Sequence, residues 1–408
     1  MTIKSKQQQL ACLLAAATTV VLSAPGEAVS AKRSRPSAAR SAQPAAAGGA
    51  VVWPTKESDR AREADQAKDG SEPQAQSKTA IPAQSELKED PSQPWLPKAP
   101  KLTKAFGPPV NLTNRIKSAI VKSGYRFVPD VPYVPEGRPC TGDFYLPAQA
   151  SDKPQPAIIV VHGGAWVIGS KTDSGESDIA QRLARHGYVV FSIDYRLISD
   201  GALYPASIRD TKDALGFVVE NAAKLNIDTS RIGMYGGSAG GMMAMLAAYS
   251  PNSGTLQADH YKTLSTKPKC VVAYCPVTDI RNFEKTWIFR YLDDTPYHSP
   301  EKFVEASPIT YVKTAVPTLC IHGDDDPMVP AEQSEELVKA LKAAGIQAEY
   351  VIVPNVRHAF HEQPGPGREL AFARLQSFFD SQLKPAAQAG LSAAAGGGTP
   401  NPAAAGTP

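Results

Sequence analysis

The chain lacks several features that would assign it to a class at once. Only 5 of its 408 residues are cysteine, and no two have the C-x-x-C spacing typical of zinc sites. The formal net charge is only +3, and no dense tract of Lys and Arg is interleaved with aromatic residues. Nucleic-acid binding is therefore not predicted. Of the four cysteines beyond residue 100, Cys270, Cys275 and Cys320 lie in apolar runs, where cysteine usually acts as a small hydrophobic residue.

The N-terminus has the pattern of an export signal. Lys4 and Lys6 give a positive start, and the apolar or Ala/Thr-rich run Leu10–Leu22 follows. That run is about 13 residues long, shorter than the ~20 residues that span a bilayer. We predict a signal peptide over residues 1–31, cleaved near Ala31, and export to a periplasm or the medium. The alternative is an uncleaved anchor, which is the one route to membrane contact that the sequence offers.

Two further segments have too little apolar content for a core. Residues 32–100 are rich in Ala, Pro, Ser, Gln and charged residues, and residues 385–408 are rich in Ala, Gly and Pro. Such compositions do not bury enough apolar surface to offset the entropy of ordering. We predict a disordered linker, a disordered tail and, between them, one globular domain over residues 101–384. The N-terminal segment is too polar to form a large separate lid domain.

The globular part alternates short apolar runs with amphipathic segments. The apolar runs are rich in Val and Ile and are bounded by Gly, Pro or Asp, as expected for strands buried on both faces. Alternating strands and helices predict an α/β fold with a mostly parallel sheet flanked by helices. "GRPCTGDFYLP" fits an extra edge strand before these runs. The runs are "AIIVVHG", "YVVFSIDYR", "RIGMYGGS", "CVVAYCP", "PTLCIHG" and "AEYVIVP".

Helix termini can be placed from capping residues. Gly187 and Gly345 each follow an amphipathic segment and are plausible C-terminal caps. Ser207 is a good N-cap for the segment that it begins.

The strongest chemical motif is "RIGMYGGSAGG", which contains a G-x-S-x-G pattern around Ser238. An apolar strand precedes it and a helix-like segment, "MMAMLAAYS", follows it. A tight strand-to-helix turn exposes the serine hydroxyl, and small residues on either side avoid collisions in that turn. We predict that Ser238 is a nucleophile. The alternative is a glycine-rich turn that serves only helix–sheet packing.

A second motif, "VVHGGAWVIGS", also follows a predicted strand. Acyl transfer builds negative charge on the former carbonyl oxygen, and fixed backbone N–H groups stabilise it. Our candidate donors are the N–H groups of Gly164, Ala165 and Ala239. A phosphate-binding loop is disfavoured because Lys171 falls one place late for that motif. Trp166 is equally consistent with lining the acyl pocket and with packing under the loop.

A serine nucleophile needs a base held by an acid. In this fold type the chain order is serine, acid, histidine, and only His358 and His361 follow the aspartate cluster. We favour His358 because it comes first after the last predicted strand. His361 is expected at the surface or at the start of a turn. His162 and His322 each end a strand and are expected to form local hydrogen bonds.

The acid is sought in "HGDDDPMVP", which follows the strand "PTLCI". Pro327 favours an extended backbone at Asp326, whereas Asp324 and Asp325 are typical turn residues. A metal site is disfavoured, since no set of His, Cys or Glu with ligand spacing lies nearby. Spacing alone leaves Asp325 and Asp326 nearly tied.

These motifs together resemble a known family. "HGGAW", "DYRL", "YPASIRD", "GGSAGG", "SPITYV", "HGDDDPMVP" and "RHAF" occur in the order seen in α/β-hydrolase esterases. The chain looks most like the bifunctional feruloyl and acetyl-xylan esterase-like group, near the hormone-sensitive-lipase-like carboxylesterases. The resemblance implies Ser238 as nucleophile, His358 as base and Asp326 as acid. It implies an oxyanion hole from the HGG loop and the residue after the serine, with Asp194–Arg196 and Asp210 bracing nearby loops.

The resemblance also implies an activity. We expect a serine carboxylic-ester hydrolase that works through an acyl-enzyme, on short acyl or feruloyl and acetyl esters of small molecules or polysaccharides. No metal or organic cofactor is expected, and the sequence does not predict an oligomeric state. Ala165 replaces the third glycine of many relatives, and its methyl group is expected to restrict bulky esters. The alternatives are an exported serine peptidase on the same fold and a non-catalytic binding module.

Overall fold

The computed structural model describes residues 111–135, 139–263 and 265–384. The predicted signal peptide, linker and C-terminal tail therefore lie outside the described residues, as do the first ten residues of the predicted domain. None of the described helices has both the length and the apolar character needed to cross a membrane.

One nine-stranded sheet organises the described residues, in the spatial order β1-β2-β3-β5-β4-β6-β7-β8-β9. The six strands from β4 to β9 are parallel, and β1, β2 and β3 are antiparallel to their neighbours. The strands are β1 (Ile120–Lys122), β2 (Tyr125–Pro132), β3 (Thr141–Pro147), β4 (Gln155–Val161), β5 (Val189–Ile193), β6 (Ile227–Gly237), β7 (Cys270–Tyr274), β8 (Thr318–Gly323) and β9 (Ala348–Val353).

The six predicted apolar runs are the six parallel strands, so the predicted α/β class is confirmed. Neighbouring residues of one strand face opposite cores. Ile159 and Val161 of β4 pack in one, while Ile158 and Val160 pack in the other. A strand buried on both faces has no reason to alternate apolar with polar residues, which explains the continuous runs.

The antiparallel side differs from the prediction. The segment that we expected at an edge forms β3, which lies inside the sheet between β2 and β5. Strands β1 and β2 extend the sheet beyond it and were not predicted. β2 contains Pro129 and Pro132, which argue against a strand. Its pairing with β3 shifts register between Val128 and Val131, and Asp130 between them has a φ of 51°.

Helices cover both faces of the sheet, and two of them, α2 and α9, pack in the smaller core with Ile158. The larger core takes the buried faces of the others, including α5, whose residues are all buried. The helices are α1 (Leu112–Lys117), α2 (Ser174–Arg185), α3 (Ala206–Glu220), α4 (Ala222–Leu225), α5 (Ala239–Tyr249), α6 (Thr286–Leu292), α7 (Pro300–Glu305), α8 (Glu332–Ala343) and α9 (Pro366–Leu383).

Two of the three capping predictions are confirmed. Gly187 and Gly345 follow the ends of α2 and α8 with φ of 88° and 77°. The third is wrong, because α3 begins at Ala206 after Pro205. Ser207 instead lies inside the helix, where its hydroxyl is 2.7 Å from that of Tyr291.

Candidate active site

The predicted nucleophile lies at the sharp turn between β6 and α5. Ser238 has a φ of 52° and a ψ of −120°, which is an unusual conformation for a residue with a side chain. Its N–H donates to the carbonyl of Tyr274 over 2.7 Å. A methyl group on Gly240 would lie 2.2 Å from the carbonyl oxygen of Val161, so only glycine fits there. The turn therefore has the geometry expected of a nucleophile elbow.

His358 connects this serine to the predicted acid. Its Nε2 lies 2.9 Å from Ser238 Oγ, and its Nδ1 lies 2.6 Å from Asp326 Oδ2. Because Nδ1 faces a carboxylate, it carries the ring proton, which leaves Nε2 to accept the hydrogen bond of the serine hydroxyl. The structure thus brings Ser238, His358 and Asp326 into one hydrogen-bonded chain.

Asp326 is held in place by further donors. Its Oδ1 accepts the N–H groups of Met328 and Val329 over 2.9 and 3.0 Å. Burial alone would raise the pKa of Asp326, but hydrogen bonds from His322 and His358 outweigh it and hold the pKa well below the ordinary value. The carboxylate therefore remains ionised beside the imidazole at neutral pH.

The three aspartates of the "DDD" run have separate environments. The Asp326 side chain is 0% exposed, whereas that of Asp325 is 75% exposed and lies 3.8 Å from Arg357 Nε. Asp324 Oδ1 accepts the N–H of Asn355 over 2.7 Å and so joins the two loops. Of the two aspartates that spacing left tied, the structure brings Asp326 to the imidazole.

His322 forms local hydrogen bonds, as predicted, and also contacts the acid. Its Nδ1 lies 2.7 Å from Ser334 Oγ, and its Nε2 lies 2.9 Å from Val329 O and 3.2 Å from Asp326 Oδ2. Since Nε2 faces two acceptors, it carries the proton and donates to them. The contact with Asp326 was not predicted, although His322 lies four residues before it in the same motif.

The predicted oxyanion loop lies against the elbow. A methyl group on Gly163 would lie 3.4 Å from Ser238 Cβ. The loop turns sharply after this point, with a φ of 106° at Gly164 and 51° at Ala165. Ala239 is the first residue of α5, so its N–H has no acceptor within the helix and lies at the positive end of the helix dipole. The three candidate donors thus belong to two segments that meet beside Ser238.

Trp166 packs beneath this loop, which decides between the two roles left open for it. Its side chain is fully buried and stacks on Tyr291 of α6, with ring centroids 4.1 Å apart and planes at 6°. Trp287, which is half-buried, lies on Trp166 with centroids 5.7 Å apart. Such aromatic pairs add about 0.5–1.5 kcal/mol each beyond area burial. Helix α6 therefore supports the loop from below.

The residues expected to brace nearby loops do so. The guanidinium of Arg196 bonds both oxygens of Asp210, at 2.7–3.0 Å. Asp194 Oδ1 accepts the N–H of Lys171 over 2.7 Å. The Lys171 ammonium lies 2.8–3.4 Å from three carboxylates, those of Asp130, Asp143 and Asp194, an arrangement that does not suit a phosphate-binding lysine.

Of the two positions expected for His361, the turn is confirmed, because it lies in the 3-10 turn Phe360–Glu362, and the surface position is wrong. Its side chain is 7% exposed, and its Nε2 lies 3.4 Å from Oε1 of Glu176, whose side chain is 4% exposed. Sequence reasoning missed Glu176 altogether. A glutamate in the first turn of an amphipathic helix is ordinary, and no sequence signal distinguishes this one.

The described residues offer two clusters with the composition of a metal site. Cys275, Asp326 and His358 form one, and Asp210, Asp213 and Asp259 form the other. In the first, Asp326 and His358 already bond each other. In the second, Asp210 and Asp259 both bond Arg196. Both clusters are therefore explained by contacts within the protein.

The chain is similar to several known proteins. The BD-FAE family model matches residues 143–341. The chain is 35% identical over 246 residues to esterase LipQ and 34% identical over 218 residues to esterase LipC, both of Mycobacterium tuberculosis. These matches cover 57% and 51% of this chain, and the chain spans little more than half of those relatives, 56% and 54%.

A solved structure is similar as well. A truncated carbohydrate esterase from gut microbiota matches with a TM-score of 0.55 and 26% identity, over 65% of this chain and 100% of that one.

Proposed function

We propose that this chain, an α/β-hydrolase of the BD-FAE type, hydrolyses carboxylic esters through a covalent acyl-enzyme on Ser238. The observation that carries the proposal is the hydrogen-bonded chain from Ser238 Oγ through His358 to Asp326, at 2.9 and 2.6 Å. The proposal is also supported by similarity to LipQ and LipC, two proteins that are named as esterases.

The reaction follows from the positions of the protons. His358 Nε2 takes the proton of the Ser238 hydroxyl as Oγ attacks the ester carbonyl. The N–H groups of Gly164, Ala165 and Ala239 stabilise the resulting oxyanion, and losing one such donor typically costs ~3 kcal/mol of barrier. His358 then returns the proton to the leaving alcohol. In the second half it activates water, which releases the acid and frees Ser238.

Asp326 has two tasks in this scheme. It keeps the proton of His358 on Nδ1, so that Nε2 faces the serine, and it stabilises the imidazolium that forms during attack. Its lowered pKa leaves it charged for the second task.

For the substrate, we propose short acyl esters, with acetyl or feruloyl groups on carbohydrate as the natural class. The support is the 26% identity to a carbohydrate esterase whose whole chain is covered. A screen of p-nitrophenyl acetate, acetylated xylan, methyl ferulate and an aminoacyl p-nitroanilide tests this class. We expect cleavage of the esters and none of the anilide. Cleavage of the anilide alone would instead support a peptidase.

The mechanism is tested by Ser238→Ala. We expect this variant to lose hydrolysis of p-nitrophenyl acetate to the background rate, because it removes the hydroxyl that lies 2.9 Å from His358 Nε2. Ser381→Ala, which removes an exposed hydroxyl from α9, is the matched control and should keep the wild-type rate. Full activity in Ser238→Ala would overturn the assignment. An inert but folded wild type that fails to react with a fluorophosphonate would favour the binding module.

A further inference from the structure

A second carboxylate–imidazole pair lies behind the nucleophile, formed by Glu176 and His361. Glu176 belongs to the first turn of α2, and His361 to the short 3-10 turn Phe360–Glu362 that follows His358. The two side chains are only 4% and 7% exposed, and Nε2 lies 3.4 Å from Oε1. Neither takes part in the reaction scheme above, and neither contacts Ser238 Oγ.

The pair packs against the elbow itself. A methyl group on Gly237, the residue before Ser238, would lie 3.4 Å from His361 Cε1 and 3.6 Å from Glu176 Oε1. These are ordinary contact distances for an added methyl group, so the pair faces the Cα of Gly237 with about a methyl group's space between them. The edge of the His361 ring also meets Tyr274, with centroids 5.6 Å apart and planes at 80°. Tyr274 is the residue whose carbonyl accepts the Ser238 N–H.

The fit on the opposite side of His361 is tight. A methyl group on Gly175 would lie 2.4 Å from His361 Cδ2, which is closer than real atoms approach. The imidazole therefore occupies a slot bounded by Gly175 on α2, by Gly237 at the elbow and by Tyr274 at the end of β7. A ring held on several sides cannot move without moving the loop to which it belongs.

The surroundings of Glu176 favour its ionised form. Burial alone would raise the pKa of Glu176, but the hydrogen bond and charge of His361, with a smaller contribution from His162, lower it below the ordinary value. A carboxylate this buried is tolerated only with a partner. Glu362 lies within electrostatic reach of both members of the pair. Burial raises its pKa, His361 and His358 lower it, and Glu176 and Asp173 raise it.

We infer that the Glu176–His361 pair positions the base, by tying together the three segments that form the active site. Glu176 lies on the helix that follows the oxyanion loop, and His361 lies three residues after His358. Both face the Cα of Gly237, the residue before Ser238, at a distance that an added methyl group would fill. The pair fixes the separation of His358 Nε2 and Ser238 Oγ without touching the substrate. This role rests on the proposed function and goes beyond it.

The direct test removes the charge of Glu176 while keeping its shape. For Glu176→Gln we expect kcat on p-nitrophenyl acetate to fall roughly 10- to 100-fold with KM within about twofold, because a misplaced base slows attack without changing substrate binding. The matched control is Glu369→Gln. It breaks an exposed ion pair between α2 and α9, in which Arg182 Nη1 lies 3.1 Å from Glu369 Oε1, and it should leave kcat within about twofold of wild type.

Two variants of His361 test the same inference even if Glu176→Gln does not fold. His361→Gln keeps an N–H donor for Glu176, whereas His361→Phe keeps the ring volume and removes the donor. We expect His361→Gln to retain at least roughly tenfold more kcat than His361→Phe, with similar KM.

Equal kcat in the two His361 variants, or a folded Glu176→Gln with the wild-type kcat, would overturn the inference while leaving the esterase assignment standing. An inert wild type would overturn both.

Discussion

The two carboxylate–imidazole pairs take their histidines from one loop, and the surroundings of these histidines differ. His358 is 10% exposed at its side chain, with Nε2 directed at a serine hydroxyl, and its Nδ1 is bonded to Asp326 over 2.6 Å. His361, three residues later, is enclosed against Gly175 and Gly237 and reaches Glu176 over 3.4 Å. Proton transfer requires an imidazole that faces a reacting group. The buried imidazole of His361 instead fixes the positions of the segments packed around it.

The comparison also shows why chain position alone misleads. Both histidines follow β9 and both pair with a carboxylate, so the sequence offers the same residue types twice. The two histidines differ in the structural elements that they contact. His358 meets the end of β8 and the elbow, whereas His361 meets the first turn of α2. The difference between the two pairs can be tested by removing them one at a time.

The largest expected effect is at His358. We predict that His358→Ala lowers kcat on p-nitrophenyl acetate by roughly 10⁵-fold or more, because the serine then has no base. Steady-state assays of the purified variant measure this. If His358→Ala lowers kcat no more than His361→Phe does, the two pairs do not have different roles in the reaction.

The next effect is at the acid. We predict that Asp326→Asn lowers kcat by roughly 10⁴-fold, since an amide at this position favours the wrong imidazole tautomer. The matched control is Asp325→Asn, whose side chain is 75% exposed, and it should stay within about twofold of wild type. The reverse ranking would move the acid by one residue and leave the remainder of the site unchanged.

A smaller effect is expected from crowding the second pair without changing its charge. Gly175→Ala places a methyl group 2.4 Å from His361 Cδ2, so the ring or the helix must shift. We predict about 1–3 kcal/mol lower stability in urea unfolding, typical of overpacking, and roughly tenfold lower kcat. Gly365→Ala, where a methyl group meets nothing within 4 Å, is the control and should change neither. If Gly175→Ala is less stable than wild type but keeps the wild-type kcat, the pair contributes to packing and does not position the base.

The smallest effect concerns acid stability. The pKa of Asp326 is lower in the folded chain than its ordinary value, so its contribution to stability is complete above the unfolded-state pKa of about 3.9. That contribution is lost as the pH falls through the folded-state value. We predict a shallower loss of unfolding free energy between pH 6 and 3 in Asp326→Asn than in wild type. Parallel curves would mean that the carboxylate is not stabilised by its donors.

The central sheet could be predicted because its strands are buried on both faces and therefore have continuous apolar sequences. Strand β2 could not, since Pro129 and Pro132 interrupt it and its register shifts at Asp130. The same contrast holds in the site. Ser238 could be predicted from its strand–turn–helix motif, whereas Asp326 was separated from Asp325 by the family resemblance. Glu176 and His361 are 185 residues apart, and only the packing of α2 against the loop after β9 brings them together.

The most direct test of the account is to locate the covalent adduct. The wild-type protein is treated with a fluorophosphonate, digested and analysed by peptide mass spectrometry, with His358→Ala treated in parallel. We predict an adduct on the peptide that contains Ser238, at that residue, and strongly slowed labelling in His358→Ala. An adduct on another residue, or an active enzyme that remains unlabelled, would contradict a mechanism in which Ser238 attacks the ester.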